Sequence, residues 1–219
     1  MNKEESSIVV VFDLDDTLYF EKDYQESGYN AVIEYLVSLY SVTREDLVKT
    51  AKTGGDVLQA LANLVGVPSV KESLLWVYRL HKPNISLTQE AEHILKLLAE
   101  RNVTTLILTD GRSVSQRMKL KSLGLENYPA FISDEFDGAV KPNLKRFKYI
   151  EESYPLSKFV YVGDNPKKDF IAPNKLGWLT IGLKSHPSFI HNHKEESHSK
   201  EFLPKFWVKD LYEVEKYLC

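Results

Sequence analysis

The sequence predicts an α/β protein with a Rossmann-like parallel β-sheet at its core and an α-helical subdomain inserted after the first strand. Two observations support this prediction. Short apolar runs rich in β-branched residues recur along the chain and alternate with helical patterns, as in strands joined by right-handed helical crossovers. Residues 24–81, in contrast, contain only helical patterns, and this interval is too long for an ordinary crossover.

The first predicted strand is the apolar run IVVVF at residues 8–12. Further strands are predicted over residues 104–108, 131–132, 159–162 and 179–181. The helices between them are predicted over residues 113–123, 144–153 and 167–176. Ser113 and Gln116 form a capping pair at the start of the first of these helices, and Gly124 ends it. We expect the C-terminal stretch FLPKFWVKDLYEVEKYL to add a strand and a helix at the sheet edge.

The inserted segment contains four helical patterns, with glycine at two of the turns between them, Gly54-Gly55 and Gly66-Val67-Pro68. The four patterns cover residues 31–40, 44–52, 56–65 and 70–80. A further helix over residues 88–101 leads into the second strand. This pattern predicts a core domain of residues 1–20 and 86–219 and a helical subdomain of residues 21–85. Trp76, Trp178 and Trp207 stand in apolar contexts and are expected to be buried.

Composition and charge exclude several classes of protein. The 219 residues are enough for one sizeable domain with an insertion. The net charge of −3 indicates no overall attraction to nucleic acid or to an anionic membrane, and no apolar run is long enough to span a bilayer. The N-terminal stretch MNKEESS lacks the apolar region of a signal peptide, and the single cysteine, Cys219, excludes an internal disulfide. We therefore expect a cytoplasmic protein, with its oligomeric state left open.

Polar clusters follow four of the predicted strands. The first strand leads into Asp13-Leu14-Asp15-Asp16-Thr17, and the second into Thr109-Asp110-Gly111-Arg112. A loop after the third strand leads to Lys141-Pro142, and the fourth strand ends in GDNPKKD, residues 163–169. Ligands of open α/β sheets bind outside the carboxyl ends of the strands, so one cleft could collect all four clusters.

The chemistry of these clusters indicates a phosphoryl group and a metal ion. Crowded carboxylates are unfavourable unless a cation or a shared proton compensates them. A ligand set of oxygen atoms alone suits Mg²⁺, which keeps several waters and is completed by a substrate phosphate. A lysine adds a second positive charge, while a threonine hydroxyl and backbone N–H groups donate to phosphate oxygens. A carboxylate in line with phosphorus can attack it and form an aspartyl-phosphate.

The four clusters together resemble the four motifs of the haloacid dehalogenase (HAD) superfamily. The resemblance is to the phosphatase type, with an Asp-x-Asp-x-Thr first motif at residues 13–17 and a Gly-Asp-x-x-x-x-Asp fourth motif at residues 163–169. All four motifs occur in the order of the family and span residues 13–169. The resemblance implies a HAD-like fold and a Mg²⁺-dependent phosphatase of a small phosphomonoester, either a sugar phosphate or a nucleotide.

The resemblance also implies roles for the first motif. Asp13 would be the nucleophile and a Mg²⁺ ligand. Asp15 would be the general acid and then the general base, and its main-chain carbonyl would also bind the metal. Thr17 would steady the motif. Asp16 is expected to face solvent or to cap a helix, without a catalytic role.

The other three motifs would complete the site. Thr109 and Asp110 would bind the phosphoryl group, and Lys141 would neutralise both the nucleophile and the transferring phosphoryl. Asp164 would be a metal ligand. Asp169 would lie behind the metal ligands and position Lys141 or a metal-bound water.

The inserted helical segment resembles the C1-type cap of this superfamily, which closes over the site and selects the leaving group. The stretches LYFEKDYQESGYNAVIEYL and YRLHKPNISL also resemble the branch of flavin-mononucleotide and related nucleotide phosphatases. This finer resemblance does not identify a substrate.

Three alternative functions use related chemistry. A phosphomutase on the same core would return the phosphoryl group to a sugar, and the sequence does not distinguish it from a hydrolase. A dehalogenase is disfavoured, because its reaction needs no metal and uses no aspartate at the position of Asp15. An aspartate-phosphorylated signalling domain would leave both the acid/base and the helical insertion unexplained.

The histidine-rich segment SHPSFIHNHKEESHSKE contains His186, His191, His193 and His198. A His-x-His spacing can bind a metal ion. No cysteine accompanies these histidines, however, and their lysine, glutamate and serine neighbours favour a solvated loop.

Overall fold

The structure is a computed structural model that describes residues 7–190 and 199–218. His191, His193, His198 and Cys219 lie outside the described residues, as does most of the MNKEESS stretch. The predictions made for them therefore stay predictions. Within the described ranges, no helix has both the length and the apolar composition needed to cross a membrane.

Six strands of the described ranges form a single parallel sheet. They are β1 (Ile8–Phe12), β2 (Thr104–Thr109), β3 (Ala130–Ile132), β4 (Lys158–Gly163), β5 (Leu179–Leu183) and β6 (Phe206–Val208). The order across the sheet is β3-β2-β1-β4-β5-β6, and every neighbouring pair is parallel. The predicted α/β fold with a parallel sheet is therefore confirmed, including the C-terminal strand at the edge.

Strand β1 occupies the centre of the sheet, between β2 and β4. Successive side chains of a strand point to opposite faces, yet Val9, Val10, Val11 and Phe12 are all buried. Both faces of the sheet are therefore covered, which explains why this strand is a continuous apolar run instead of an alternating one.

Eight α-helices accompany the sheet in the part of the chain that the structure describes. They are α1 (Glu21–Leu39), α2 (Arg44–Ala51), α3 (Val57–Leu64), α4 (Lys71–Leu80), α5 (Gln89–Glu100), α6 (Ser113–Ser122), α7 (Lys145–Ser153) and α8 (Ile171–Lys175). Short 3₁₀ helices occur at Pro68–Val70, Ser133–Phe136, Lys200–Phe202 and Leu211–Tyr217. Side chains of Thr43, Asp56 and Thr88 cap the amino ends of α2, α3 and α5 by accepting backbone N–H bonds.

One hydrophobic cluster joins one face of the sheet to α7 and α8. Phe147 and Ile150 of α7 pack with Tyr161 of β4 and with Trp178, which lies just before β5. The ring of Trp178 stacks on Phe159 at 4.6 Å between centroids. This packing holds α7 in place, and α7 in turn carries a residue of the candidate site.

The predicted capping pair at the start of α6 is wrong. The residue before the helix, Arg112, makes no capping bond; the backbone N–H of Ser113 donates to the carboxylate of Asp134, and the hydroxyl of Ser113 donates to Glu135. The side chain of Gln116 is buried and points to the candidate site instead. Helix α8 also begins later than predicted, because Asn165 accepts backbone bonds from Lys168 and Asp169 in a turn.

The chain divides into two compact units. One comprises residues 1–22 and 86–219 and contains the sheet, and the other comprises residues 23–85 and contains α2, α3, α4 and most of α1. The second unit has its own hydrophobic core of Val32, Ile33, Leu36, Leu47, Val57, Leu61, Ala62 and Leu74. Trp76 does not belong to this core: its side chain is 56% exposed, so its predicted burial is wrong.

Leu61→Ala is expected to destabilise the helical unit by about 2–5 kcal/mol, since it leaves a cavity among buried side chains. Hydrogen exchange followed by mass spectrometry measures this cost as lost amide protection in residues 23–85. The matched control is Leu64→Ala on the same helix, where the side chain is 41% exposed and the cost should stay below about 1 kcal/mol. Equal effects of the two substitutions would contradict the assignment of this core.

Candidate active site

Lys141 joins two of the predicted acidic residues. Its Nζ atom lies 2.7 Å from Oδ1 of Asp13 and 2.7 Å from Oδ1 of Asp169, and it donates to the hydroxyl of Tyr161 at 3.1 Å. All of these side chains are buried. The loops after β1 and β4 and the loop before α7 thus bring three predicted site residues into direct contact.

Three carboxylates form a cluster beside this lysine. One carboxylate oxygen from each of Asp13, Asp164 and Asp169 lies within 4.8 Å of the others. Oδ2 of Asp13 is buried and has no hydrogen-bond partner among the residues that the structure describes. Asp169 is already engaged, since its Oδ2 accepts the backbone N–H of Asn165 at 2.8 Å. Asp13 and Asp164 are therefore the carboxylates with free capacity for another ligand.

The glycine of the fourth motif makes room for this arrangement. A Cβ atom at Gly163 would lie 2.6 Å from Oδ2 of Asp169, well inside van der Waals contact. Any other residue at this position would displace the carboxylate that contacts Lys141.

Burial and mutual repulsion make the ionised form of these carboxylates unfavourable. Burial raises the pKa of Asp13 to about 6, although the ammonium of Lys141 lowers it. Burial, together with the charges of Asp169 and Asp13, also raises the pKa of Asp164 well above its usual range. Burial alone would lower the pKa of Lys141, but the carboxylates of Asp13 and Asp169 raise it above its usual range. The charges of Lys141 and Lys168 thus offset the crowded carboxylates only in part.

The side chain of Asp15 has a separate set of partners. Its Oδ1 lies 2.6 Å from Nζ of Lys119 and also accepts the hydroxyl of Tyr19, while its Oδ2 accepts Nε2 of Gln116 at 3.0 Å. Burial would raise the pKa of Asp15, but the charge of Lys119 and the three donated bonds lower it below its usual range. The structure therefore holds this carboxyl in its ionised form.

Gln116 also connects Asp15 to Thr109. The Nε2 atom that donates to Asp15 lies 2.6 Å from Oγ1 of Thr109, which is fully buried. Gly111 leaves space for this side chain: it has a φ of +148°, and a Cβ there would lie 3.0 Å from Cδ of Gln116. The first and second motifs are thus joined through one amide group.

Arg146 of α7 organises the carboxyl ends of two strands. This buried guanidinium donates to the carbonyl of Thr109 at 2.7 Å and to the carbonyl of Phe131 at 2.9 Å, and it pairs with Asp110. Asp110 in turn accepts the backbone N–H of Lys141 at 3.1 and 3.2 Å. Because its carboxylate is occupied in this way, a phosphoryl contact by Asp110 would use its backbone N–H, and that role stays a prediction.

The two remaining polar residues of the first motif, Asp16 and Thr17, are buried. Oγ1 of Thr17 has no hydrogen-bond partner within the described parts of the chain. Asp16 does not face solvent, so this half of its prediction is wrong. Its Oδ1 accepts the backbone N–H of Glu21, the first residue of α1, and its Oδ2 accepts the backbone N–H of Ile190. Asp16 therefore satisfies donors at a helix amino end, which is the capping role.

Comparison with known proteins identifies the family. A model of haloacid dehalogenase-like hydrolases matches residues 9–177. The chain belongs to this family. The matched range begins in β1 and extends past the fourth motif, so it includes Asp13, Thr109, Lys141 and Asp164.

Similar proteins include both phosphatases and other HAD hydrolases. Glyceraldehyde 3-phosphate phosphatase of Methanocaldococcus jannaschii is 28% identical over 193 residues, which cover 80% of this chain and 83% of that protein. Among solved structures, the 2-haloacid dehalogenase of Pseudomonas syringae superposes with a TM-score of 0.66 at 20% identity, covering 97% of this chain and 98% of the other. A HAD hydrolase of Bacillus subtilis bound to magnesium gives a TM-score of 0.67 at 18% identity, covering 98% and 99%. At these identities the two structures show a shared fold.

Sequence reasoning missed four buried residues of this site: Gln116, Lys119, Arg146 and Tyr161. Gln116 and Lys119 are three residues apart, so they lie on one face of α6, and this spacing is the only signal that the sequence carries. A lysine or arginine in a helical pattern is most often exposed. Their burial is therefore visible only in the folded chain.

Arg146→Met is expected to destabilise the sheet-containing unit by about 3–5 kcal/mol, because it leaves Asp110 and two strand-end carbonyls buried without their donor. Denaturant unfolding monitored by tryptophan fluorescence measures the shift, and Lys148→Met, at an exposed position of the same helix, is the control. An unchanged midpoint for Arg146→Met would show that this network does not hold the strand ends.

Proposed function

We propose that this protein is a Mg²⁺-dependent phosphatase that hydrolyses a small phosphomonoester through an aspartyl-phosphate intermediate on Asp13. The observation that carries the proposal is the position of Lys141 between Asp13 and Asp169, with Oδ2 of Asp13 unpartnered beside Asp164. A buried carboxylate with a lysine on one oxygen and a free second oxygen suits a nucleophile that also binds a cation.

In the first step, a carboxylate oxygen of Asp13 attacks phosphorus while the bond from phosphorus to the leaving oxygen breaks. Asp15 donates a proton to that oxygen, so the leaving group departs as an alcohol. Lys141 offsets the negative charge on the nucleophile and on the transferring phosphoryl group, and donors near Thr109 hold the phosphoryl oxygens.

In the second step, Asp15 takes a proton from a water molecule whose oxygen attacks phosphorus, and the bond between Asp13 and phosphorus breaks. The ionised state of Asp15 in the structure is the state that this step needs. For the first step Asp15 must carry a proton. A phosphate dianion near its carboxylate favours protonation, since like charges disfavour the ionised form.

The residues present fit a magnesium ion. The carboxylates of Asp13 and Asp164 and the main-chain carbonyl of Asp15 would hold it, and they are hard oxygen ligands of the kind that Mg²⁺ prefers. When bound, the ion would supply the positive charge that Lys141 alone does not provide, on the phosphoryl oxygens as well as on the nucleophile. Asp169 contacts Lys141 directly, which supports a positioning role for this residue.

The substrate class is inferred from the family and from its curated relative. A relative named for hydrolysis of glyceraldehyde 3-phosphate makes short sugar phosphates the first substrates to test, with nucleotides as the second group. Residues 23–85 would act as the C1-type cap that selects among them. The paired Asp13 and Asp15 favour phosphoryl transfer over dehalogenation, because dehalogenation has no use for the second aspartate.

Asp13→Asn is expected to remove turnover, since an amide does not attack phosphorus, and Asp15→Asn to lower kcat by roughly 10²–10⁴-fold. The measurement is phosphate release, in the presence of Mg²⁺, from a panel that contains glyceraldehyde 3-phosphate, other sugar phosphates and nucleotides. Asp137→Asn, at a carboxylate that is 90% exposed, is the matched control and should keep full activity.

Near wild-type activity of Asp13→Asn would refute the nucleophile assignment. Isomerisation of a sugar phosphate without net release of phosphate would show a mutase instead. Mass spectrometry of acid-quenched Asp15→Asn reacted with p-nitrophenyl phosphate should detect a phosphoryl adduct on Asp13, because this leaving group departs without an acid while hydrolysis of the intermediate still lacks its base.

Magnesium binding is expected to release protons and to tighten as the pH rises through about 6. The reason is that Asp13, with a pKa raised to about 6, and Asp164, whose pKa is also raised well above its usual range, must both ionise to bind the cation. Calorimetric titration with Mg²⁺ in two buffers of different ionisation enthalpy measures the released protons. Asp164→Asn should weaken binding, and Asp137→Asn should not. Affinity that is independent of pH would contradict this account.

A further inference from the structure

We propose that Lys119 is a positioning residue that holds Asp15 in the orientation needed to protonate the leaving group, with Gln116 as its partner on the same helix face. This inference rests on the proposed function, since it assigns a residue to the acid/base step of that reaction. Asp13 and Asp15 then each have their own lysine: Lys141 contacts Asp13, and Lys119 contacts Asp15.

The contacts of Asp15 fix its carboxylate at both oxygens. Nζ of Lys119 lies 2.6 Å from Oδ1, and Nε2 of Gln116 lies 3.0 Å from Oδ2. A carboxylate held at both oxygens by separate donors cannot rotate about its last bond without losing one of them. Tyr19 adds a third donor at Oδ1, and its ring lies beneath Nζ of Lys119 at 5.9 Å.

Lys119 is buried for a reason other than packing. Its side chain is only 5% exposed, and a buried ammonium is costly unless an anion pairs with it. Asp15 pairs with it at 2.6 Å, and the charge of Lys119 also acts on the carboxyl of Glu21. An apolar residue would be buried at this position with a lower free-energy cost. The presence of a lysine therefore indicates that its contact with Asp15 has a function.

The same network links Asp15 to the predicted phosphoryl site. Gln116 donates to both Asp15 and Oγ1 of Thr109 from a single nitrogen atom. The carboxylate of Asp15 is therefore held at a defined place relative to the residue that is proposed to bind the phosphoryl group. An acid placed in this way acts on the oxygen that leaves phosphorus.

Loss of Lys119 should therefore affect substrates according to their leaving group. An alkyl phosphate releases a strongly basic alkoxide unless the oxygen is protonated, so its cleavage depends on Asp15. p-Nitrophenyl phosphate releases a stable phenolate and needs little help from an acid. The value of kcat/KM covers the steps up to departure of the leaving group, so it isolates this effect from hydrolysis of the intermediate.

The experiment compares Lys119→Met, Lys119→Arg and the control Lys121→Met, an exposed lysine on the same helix. For the alkyl phosphate that the wild type hydrolyses best, Lys119→Met should lower kcat/KM by about 100-fold, while the loss on p-nitrophenyl phosphate should be below about fivefold. Lys119→Arg should recover most of the alkyl activity, and Lys121→Met should match the wild type. In an Asp15→Asn background, Lys119→Met should cause no further selective loss.

Equal losses on both substrates would overturn the proposal, because they would assign Lys119 to the fold or to phosphoryl binding. Unchanged activity on both would overturn it as well. If Lys119→Met does not fold, as judged by circular dichroism, the comparison is made with Gln116→Leu, for which the same selective loss is expected. A wild type that hydrolyses neither substrate would refute the proposed phosphatase and not the role of Lys119 alone.

Discussion

The candidate site depends on one interaction, the contact of the Lys141 ammonium with the carboxylates of Asp13 and Asp169. All three groups are buried at the carboxyl edge of the sheet, where an isolated carboxylate would take up a proton. Lys141 lowers that tendency but does not remove it, as the pKa of about 6 for Asp13 shows. A divalent cation would offset the negative charge of the carboxylates that Lys141 leaves uncompensated.

The backbone position of Lys141 is held by the side chains of Asp110 and Arg146. Its backbone N–H donates to Asp110, and Asp110 pairs with Arg146. Arg146 also donates to carbonyls at the ends of β2 and β3, so the loop of Lys141 is attached to the sheet itself. The backbone of Lys141 is thus held in place as well as its side chain. Such preorganisation of charged groups is what electrostatic catalysis requires.

Two residues of the first motif that are close in sequence have different environments. Asp13 contacts Lys141 from the loop before α7, whereas Asp15 contacts Lys119 and Gln116 of α6. The pKa of Asp13 is raised and that of Asp15 is lowered, so the two carboxylates differ in their ease of protonation because their neighbours differ. The carboxylate of Asp16, the third aspartate, accepts two backbone N–H bonds, and we assign it no catalytic role.

The sequence by itself determined the strands, their helical connections and the four strand-end motifs, since these depend on local periodicity and on the rule that parallel strands end at one edge. It was sufficient to place Asp13, Lys141 and Asp169 in the same cleft. Only the tertiary structure showed that Lys119 and Arg146 are buried, that Gln116 serves the site instead of a helix cap, and that Trp76 is exposed. The physical reason is distance along the chain. Asp15, the partner of Lys119, is 104 positions away, and Asp110, the partner of Arg146, is 36 positions away. The ion pairs that offset the cost of burying these charges therefore form only after the sheet and its helices have assembled.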